Sequence, residues 1–401
     1  APNAFYYCDN LKKISIPDTV QDINIGAGGP TATASAFQFC NNLKEIEVYC
    51  PDESAHATHE VKFASVDGVL MRVVSGEDDT ENKYEMYFIP AAMSGDYVVP
   101  NSVVSIPSNV FNKAKFNKVT ISASVTSVGN NAFAGSKINE IVFEDPTAGD
   151  ANVALDLGTK AFANNVLLQK VTLPARKLTF SGNTSFNQDI FSNCPMLSEL
   201  NMAETSNYKT IDGLLCKFIG NNLQIVFCPA GFSGDENGVY EIPVSVSSIG
   251  VGAFAECRKI KGIVINEYIM QISTGAFENC AALESVVFEG TADSTKLTIG
   301  EEAFKGCVSL TEIELPQNLS YVGESAFAGT KKLTYVYFNC GEDVTFEDDV
   351  FNDGTNGYVK TIKLGKGIST IDNFADVFAK CKIEKFEIEA GNAAYSCDAY
   401  G

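Results

Sequence analysis

The chain has 401 residues, of which 50 are Asp or Glu and 29 are Lys or Arg, so its formal net charge is −21 at pH 7. A protein of that sign repels phosphate backbones and anionic lipid headgroups, which argues against nucleic acid as a partner. No stretch approaches the roughly 18 to 20 consecutive apolar residues that a membrane-spanning helix needs, so we expect no membrane insertion within this chain.

One short pattern repeats along the chain. It begins with Ala-Phe, has a cysteine three residues after the Phe, and continues into an apolar run of period two. A supersecondary unit that recurs in this way is typical of a solenoid, in which each coil buries its apolar face only by stacking on the next. Clear copies are "AFYYCDNLKKISI" from Ala4, "AFQFCNNLKEIEV" from Ala36, "AFAECRKIKGIVI" from Ala253, "AFENCAALESVVF" from Ala276 and "AFKGCVSLTEIEL" from Ala303.

The repeated Phe residues indicate about twelve coils. Neighbouring copies are usually 22 to 32 residues apart, which is the period of leucine-rich and related solenoids. In chain order they are Phe5, Phe37, Phe111, Phe133, Phe162, Phe191, Phe254, Phe277, Phe304, Phe327, Phe351 and Phe378.

Each coil contains signals for two extended segments. Apolar residues at alternate positions, such as Ile313 and Leu315, predict a short strand, and Pro316 closes it because proline cannot continue a ladder on its N–H side. A second apolar pair before the next Phe predicts a second strand or an extended side of the coil. Between the two, Gly300 in the stretch 299–304 is expected to supply a permissive dihedral for a turn or a 3₁₀ segment.

Two inserts interrupt the regular spacing, at about 61–107 and 208–250. In each, alternating apolar residues flank a polar run, "SGEDDTENK" in the first and "GNN" in the second, which predicts a β-hairpin that projects from the solenoid. We therefore predict a single solenoid domain over 1–401. The chain opens inside the repeat pattern and closes on what looks like the start of a third hairpin, so we expect both ends to be truncated.

These motifs together resemble the BspA-like leucine-rich repeat proteins over essentially the whole chain. The resemblance rests on the "AF-x-x-C-x-x-L-x-x-I-x-I-P" coil, the "V-x-x-I-G" return and the "DG-V-L" hairpin with its "I-P-x-S-V-x-S-I" exit. It departs from the pattern at Phe133, Phe162, Phe327 and Phe351, where Ser136, Asn165, Thr330 and Gly354 stand in place of the cysteine. It implies an α/β, β-rich, right-handed leucine-rich-repeat solenoid of about twelve coils. It also implies a secreted or cell-surface protein of host-associated microbes with an adhesive role, and it supplies no catalytic residues.

Seven of the twelve cysteines occupy the position three residues after Phe, called here the slot. We interpret the slot as a steric site in which Cys acts as a small apolar residue, so these thiols are predicted to be free and buried. Neighbouring slots would have parallel Cβ directions, which suit a disulfide poorly. The slot cysteines are Cys8, Cys40, Cys194, Cys257, Cys280, Cys307 and Cys381. The redox state of the others stays open: Cys50, Cys216, Cys228, Cys340 and Cys397.

Metal and hydrolase chemistry have little support. The two histidines of the chain, His56 and His59, stand with Glu60 in a polar loop, and their order is not that of an HExxH zinc motif. We favour a solvated loop there. The acidic runs at 76–82, 233–238 and 346–354 lack the ligand spacing of a calcium loop. The sequence therefore predicts no metal and no cofactor.

The residues between the buried positions of the strands are predicted to point outward. Around three successive coils they are Glu312, Glu314, Tyr335, Tyr337 and Lys363, and we take these as candidate ligand-binding residues because Tyr pairs offer large, rigid, amphipathic contacts. The alternative is that outward tyrosines merely have good strand propensity or are covered by a loop.

We therefore predict a non-enzymatic, monomeric recognition protein that binds host or bacterial proteins or glycoproteins through an extended face of the solenoid. One alternative is a carbohydrate-binding or carbohydrate-active solenoid, which the absence of Trp and of an identifiable carboxylate pair disfavours. Another is a structural spacer that displays a further domain.

Overall fold

The structure, a computed structural model, describes residues 4–25, 36–51, 60–74, 82–147, 153–181, 186, 188–290, 296–341, 344–354, 356–369 and 374–395. The chain forms two compact units, Ala1–Tyr208 and Lys209–Gly401, called unit 1 and unit 2. The prediction of one solenoid domain over 1–401 stays a prediction.

Short strands follow one another through both units. Their bounds are β1 Lys13–Pro17, β2 Glu45–Tyr49, β3 Phe63–Val66, β4 Val69–Val74, β5 Lys83–Phe88, β6 Ser94–Val99, β7 Val103–Ile106, β8 Lys115–Ile121, β9 Ser127–Val128, β10 Glu140–Phe143, β11 Leu155–Leu157, β12 Lys170–Leu173, β13 Leu178–Phe180, β14 Glu199–Met202, β15 Tyr208–Ile211, β16 Leu214–Ile219, β17 Asn222–Phe227, β18 Val239–Glu241, β19 Val246–Ile249, β20 Gly262–Ile265, β21 Gln271–Ile272, β22 Ser285–Phe288, β23 Leu297–Ile299, β24 Glu312–Leu315, β25 Leu319–Val322, β26 Tyr335–Phe338, β27 Thr345–Phe346, β28 Thr361–Leu364 and β29 Lys385–Ile388.

Helix is almost absent from the described residues. It is confined to the 3₁₀ helix Gln188–Phe191 and the α-helix α1 Phe374–Val377. The solenoid is confirmed, but it is nearly all-β, and the α/β label overstates its helical part. The reason is local, because the residues two before and two after the repeated Phe often have positive φ, as Glu302 (56°) and Gly306 (73°) do. Residues in the left-handed region cannot continue a right-handed helix.

In unit 1, successive coils add parallel strands to two sheets. One sheet has the order β14-β12-β10-β8-β6, and the other has the order β13-β11-β9-β7-β5-β4-β3. Strands β1 and β2 form a parallel pair of their own. Apolar residues lie in register from coil to coil, as Val119, Ile141 and Val171 do. The repeated sequence pattern is therefore a repeated strand register.

Unit 2 has the same construction with one interruption. The long sheet has the order β15-β16-β17-β19-β21-β23-β25-β27, its first strand beginning at Tyr208. On the other side, β18-β20-β22 and β24-β26-β28-β29 form two separate parallel sheets. Among the described residues no ladder joins β22 to β24, so this face of unit 2 is divided.

Hairpins are present at both predicted places, but their described strands are members of the long sheets and do not project from them. Strand β4 pairs antiparallel with β5, and β16 pairs antiparallel with β17. The last strand of each hairpin then pairs in parallel with the following strand of the sheet, β5 with β7 and β17 with β19. The hairpins are thus anchored by backbone hydrogen bonds in the sheets.

The repeated Phe side chains form columns in the core of each unit. In unit 2, from Phe254 to Phe378, successive rings are stacked with centroids 4.8 to 5.3 Å apart. In unit 1, Phe111, Phe133 and Phe162 stack with centroids 4.3 and 5.2 Å apart. Burying each ring contributes about 1.5 to 3 kcal/mol, and each aromatic pair about 0.5 to 1.5 kcal/mol more. Stacking of coils therefore makes the core, as the repeat predicts.

The cysteine slot is a hydrogen-bonding position and more than a small apolar site. The Cys280 thiol donates to the carbonyl oxygen of Phe254 in the preceding coil, with Sγ and O 3.0 Å apart. Where Thr330 replaces cysteine, its hydroxyl donates to the carbonyl of Phe327, 2.6 Å away. A donor near the Phe carbonyl is therefore what these occupants share, although Ala114 and Gly354 show that a coil can lack it.

Burial of the slot thiols is confirmed for five of the seven, and no disulfide joins the slot cysteines in the described part of the chain. Cys8 and Cys381 are only half-buried, because each belongs to a coil with a described neighbouring coil on one side only. Cys397 lies outside the described residues. The five buried slot thiols are Cys40, Cys194, Cys257, Cys280 and Cys307.

The predicted role of Gly300 is wrong. Its φ is not in the positive region, but a Cβ at Gly300 would lie 2.7 Å from the backbone nitrogen of Thr274 in the preceding coil. Gly323 is equally close to the backbone of Glu301, at 2.5 Å. The glycine before the Phe turn is therefore required by the close approach of two coils, not by its dihedral freedom.

Candidate functional site

The five candidate residues lie on three adjacent parallel strands of unit 2. Glu312 on β24 is in register with Tyr335 on β26, and Glu314 is in register with Tyr337. Tyr337 in turn is in register with Lys363 on β28. The structure thus brings all five together on one face of the sheet.

Period two places these side chains on the outer face. Between them lie Ile313, Val336 and Ile362, which are at most 1% exposed and belong to the core. Glu312 and Glu314 are exposed, and the two tyrosines and Lys363 are half-buried. The prediction that these positions point away from the core therefore agrees with their burial.

A groove of about 650 Å³ runs along this face where β22 and β24 are not joined by a ladder. All five candidate residues line it. The groove is also lined by residues that the sequence interpretation did not select: Ser285 and Val287 on β22, and Gln317 and Asn339 just after β24 and β26. Val287 is 51% exposed and gives the β22 side of the groove an apolar surface.

Tyr337 is held from two sides. The Lys363 amino nitrogen lies 3.7 Å from the centroid of its ring, a cation–π contact. Its hydroxyl donates to Oε2 of Glu389 over 2.8 Å. Burial, followed by this bond, raises the pKa of Tyr337, and the same bond lowers the pKa of Glu389. The Tyr337 side chain is therefore positioned before any ligand arrives.

The two glutamates differ in their partners. Glu314 accepts a hydrogen bond from the Asn339 amide over 2.8 Å. In the described part of the chain, Glu312 takes part in no ion pair, and its charge is among those that raise the pKa of Tyr335, after burial and Glu387. This end of the groove thus presents uncompensated negative charge beside a tyrosine.

Sequence reasoning missed Glu389 and Asn339. Glu389 follows β29 and continues the period-two series of Lys385 and Glu387, so extending that series by one step would have found it. Asn339 follows β26, and only the side-chain contact with Glu314 indicates its place in the groove.

The other candidate clusters form no site in the described residues. His56 and His59 lie outside them. In the acidic run 233–238, Asp235 accepts backbone hydrogen bonds from Asn237 and Val239, both 2.8 Å, so its carboxylate shapes a turn. No three His, Cys, Asp or Glu side chains of the described chain come together as metal ligands.

A family model described as BspA type leucine-rich repeat region matches the chain in six copies, over residues 1–63, 94–213, 230–352 and 291–400. Since these matches cover well over half of the chain, the protein belongs to the BspA-type leucine-rich repeat family. No curated protein matches it. None of the helices in the described chain has the length and hydropathy of a membrane span.

Solved structures similar to the chain include three bacterial proteins. One is a leucine-rich cell surface protein from Faecalibacterium prausnitzii, with 17% identity, TM-score 0.39, and coverage of 82% of this chain and 96% of that chain. Another is the pneumococcal vaccine antigen PcpA, with 17% identity, TM-score 0.46, and coverage of 82% and 94%. A leucine-rich repeat protein from Bacteroides ovatus has 16% identity, TM-score 0.38, and coverage of 80% and 98%.

Proposed function

We propose that this protein is a non-catalytic recognition protein of the secreted or cell-surface kind, and that it binds a protein or glycoprotein partner through the groove of unit 2. Membership of the BspA-type family supports the general class. The observation that carries the proposal is the convergence of Glu312, Glu314, Tyr335, Tyr337 and Lys363 on a single groove at a break in the sheet.

The chemistry of the groove favours a partner segment with basic side chains. Exposed carboxylates form charge-assisted hydrogen bonds with Arg or Lys, and the tyrosine rings can hold the same cations. Lys363 above Tyr337 shows a cation on one ring. Together with the net charge of −21, this arrangement would steer a basic partner toward the groove.

The test uses binding of the purified chain to a panel of extracellular proteins and glycoproteins. Tyr335→Ser combined with Tyr337→Ser should weaken capture about 30-fold, which corresponds to about 2 kcal/mol for a hot spot. Tyr49→Ser is the matched control, since Tyr49 is 43% exposed on a strand of unit 1. It should bind like the unchanged chain.

A second pair of variants tests the charge argument. Glu312→Gln with Glu314→Gln should slow association and flatten its dependence on salt, because exposed charges act mainly on encounter. If the tyrosine double variant is folded and captures its partner with unchanged affinity, the groove is not the binding site.

A further inference from the structure

A second surface feature lies in unit 1, away from the groove residues along the chain. Tyr6, Tyr7 and Phe39 are 45%, 62% and 41% exposed, and their rings contact one another. Tyr7 stacks on Phe39 with centroids 4.6 Å apart, and Tyr6 meets both rings edge-on at 4.8 and 5.6 Å. We call these three residues the aromatic cluster.

Two members of the aromatic cluster are held in an unfavourable backbone conformation. Tyr7 and Phe39 are both two residues after the repeated Phe, with φ of 59° and 62°. The conformation belongs to the repeat, since several other coils have positive φ at the same position. Some have Asn or Gly there, which tolerate it, and others have Lys113, Glu256 or Lys380. A bulky aromatic residue there costs stability, and its exposed ring recovers little by burial.

Of the aromatic cluster, Phe39 lines a pocket of about 190 Å³, together with Gln38, Asn112 and Lys113. The segment after the first hairpin, around Pro90, also lines the pocket. This segment lies between the coils of Phe37 and Phe111 in the chain, so the two coils do not stack directly. A pocket smaller than the roughly 300 to 1,000 Å³ of drug-sized sites suits one small ring.

Hydrogen-bonding groups are left open at this pocket. Elsewhere in unit 1, backbone hydrogen bonds join the turns of successive coils. The Tyr7 N–H donates to the Gln38 carbonyl over 3.1 Å, and the Gly135 N–H donates to the Ala163 carbonyl over 3.0 Å. Among the described residues, Phe39 N–H makes no corresponding bond to Asn112. The side-chain Oε1 of Gln38 is buried and also has no partner there.

We propose that this pocket binds a single pyranose ring at the end of a glycan. A sugar ring offers an apolar C–H face for the exposed Phe39 ring, while its hydroxyls can both donate and accept hydrogen bonds. One hydroxyl can accept from Phe39 N–H and another can donate to Gln38 Oε1, which removes the penalty of two unpaired polar groups. The Phe39 ring, which is held by its stacking on Tyr7, and the open donor and acceptor are independent observations that select the same ligand chemistry.

The test is saturation-transfer NMR of the chain with methyl glycosides of glucose, galactose, mannose and N-acetylglucosamine and with sialic acid, at millimolar concentration. At least one of these sugars should receive saturation from the protein. Stronger binding of sialic acid than of the neutral sugars would show that Lys113 contributes to recognition. Tyr7→Asn with Phe39→Asn should lower affinity at least about tenfold. The same double variant should keep or raise the thermal midpoint, because Asn is the natural occupant of this position in other coils.

Two further variants make the result specific. Gln38→Met removes the unpartnered acceptor and should weaken sugar binding without loss of stability. Glu256→Asn changes the same turn position in unit 2 and should have no effect on binding. Absence of saturation transfer to every sugar, or equal sugar affinity in the Tyr7→Asn, Phe39→Asn double variant, would overturn the proposal. Neither outcome bears on the groove of unit 2, whose test uses proteins.

Discussion

At the level of single residues, the slot shows why chemically different side chains can replace one another along the solenoid. Cysteine, serine, threonine and asparagine share a donor, and the neighbouring Phe carbonyl has a lone pair to spare. Asn165 illustrates this, since its amide donates to the Phe162 carbonyl over 2.7 Å while Cys194 donates to the same oxygen over 3.1 Å. The donor is not obligatory, because Ala114 occupies the slot of the Phe111 coil and Gly354 that of the Phe351 coil.

Thr330 provides a direct test, because it is 2% exposed and donates to the Phe327 carbonyl. Thr330→Val keeps the shape and removes the donor, so we expect the free energy of unfolding to fall by about 1 kcal/mol. Thr330→Cys keeps a donor and should cost less. Urea unfolding of both variants measures the difference, and a Val variant as stable as the unchanged chain would restore the purely steric interpretation.

At the level of the coil, a glycine four residues before the repeated Phe, present in some of the coils, sets how closely two coils approach. Gly129, Gly158, Gly300 and Gly323 all have a backbone atom of the preceding coil within 2.7 Å of where a Cβ would be. The carbonyl of Ile272 accepts the Gly300 N–H at 2.7 Å, so the close approach also carries a hydrogen bond between coils. A side chain here would force the coils apart.

Gly300→Ala should therefore destabilise unit 2 by about 1 to 3 kcal/mol, the usual cost of overpacking. Gly341→Ala is the matched control, because the atom nearest to its added Cβ is 3.8 Å away and its φ is not positive. The control should be neutral or slightly stabilising, since alanine has less freedom in the unfolded chain. Equal effects of the two substitutions on the thermal midpoint would contradict the close-approach argument.

At the level of the whole molecule, buried thiols recur through both cores and give the protein a common response to alkali. Burial raises the pKa of Cys194 in unit 1 to about 11, and those of Cys216 and Cys340 in unit 2 to about 12. The hydrogen bond with Cys228, together with burial, raises the pKa of Cys257 well above its usual value.

A thiol with a raised folded-state pKa contributes stability that is fully present below its unfolded pKa of about 8.5. Above that pH the unfolded chain loses protons that the native chain keeps, so stability falls as the pH rises toward 11 or 12. We expect the urea midpoint to fall steadily between about pH 8.5 and 11. Thiolate absorbance should appear at lower pH in the unfolded chain than in the native chain. Rapid labelling of Cys257 and Cys307 in the native chain would contradict this expectation.

The sequence by itself determined the coil count, the Phe columns, both hairpins and the outward positions of the candidate groove residues. These features follow from the spacing of residues within one coil, because the period of a strand or a repeat is visible as a spacing of apolar residues in the sequence. Only the tertiary structure decided what depends on the distance between coils. The break between β22 and β24, the contact of Tyr337 with Glu389, the close approach at Gly300 and the open Phe39 N–H all arise from how one coil meets another. Residues far apart in sequence set that distance through packing, so no local pattern records it.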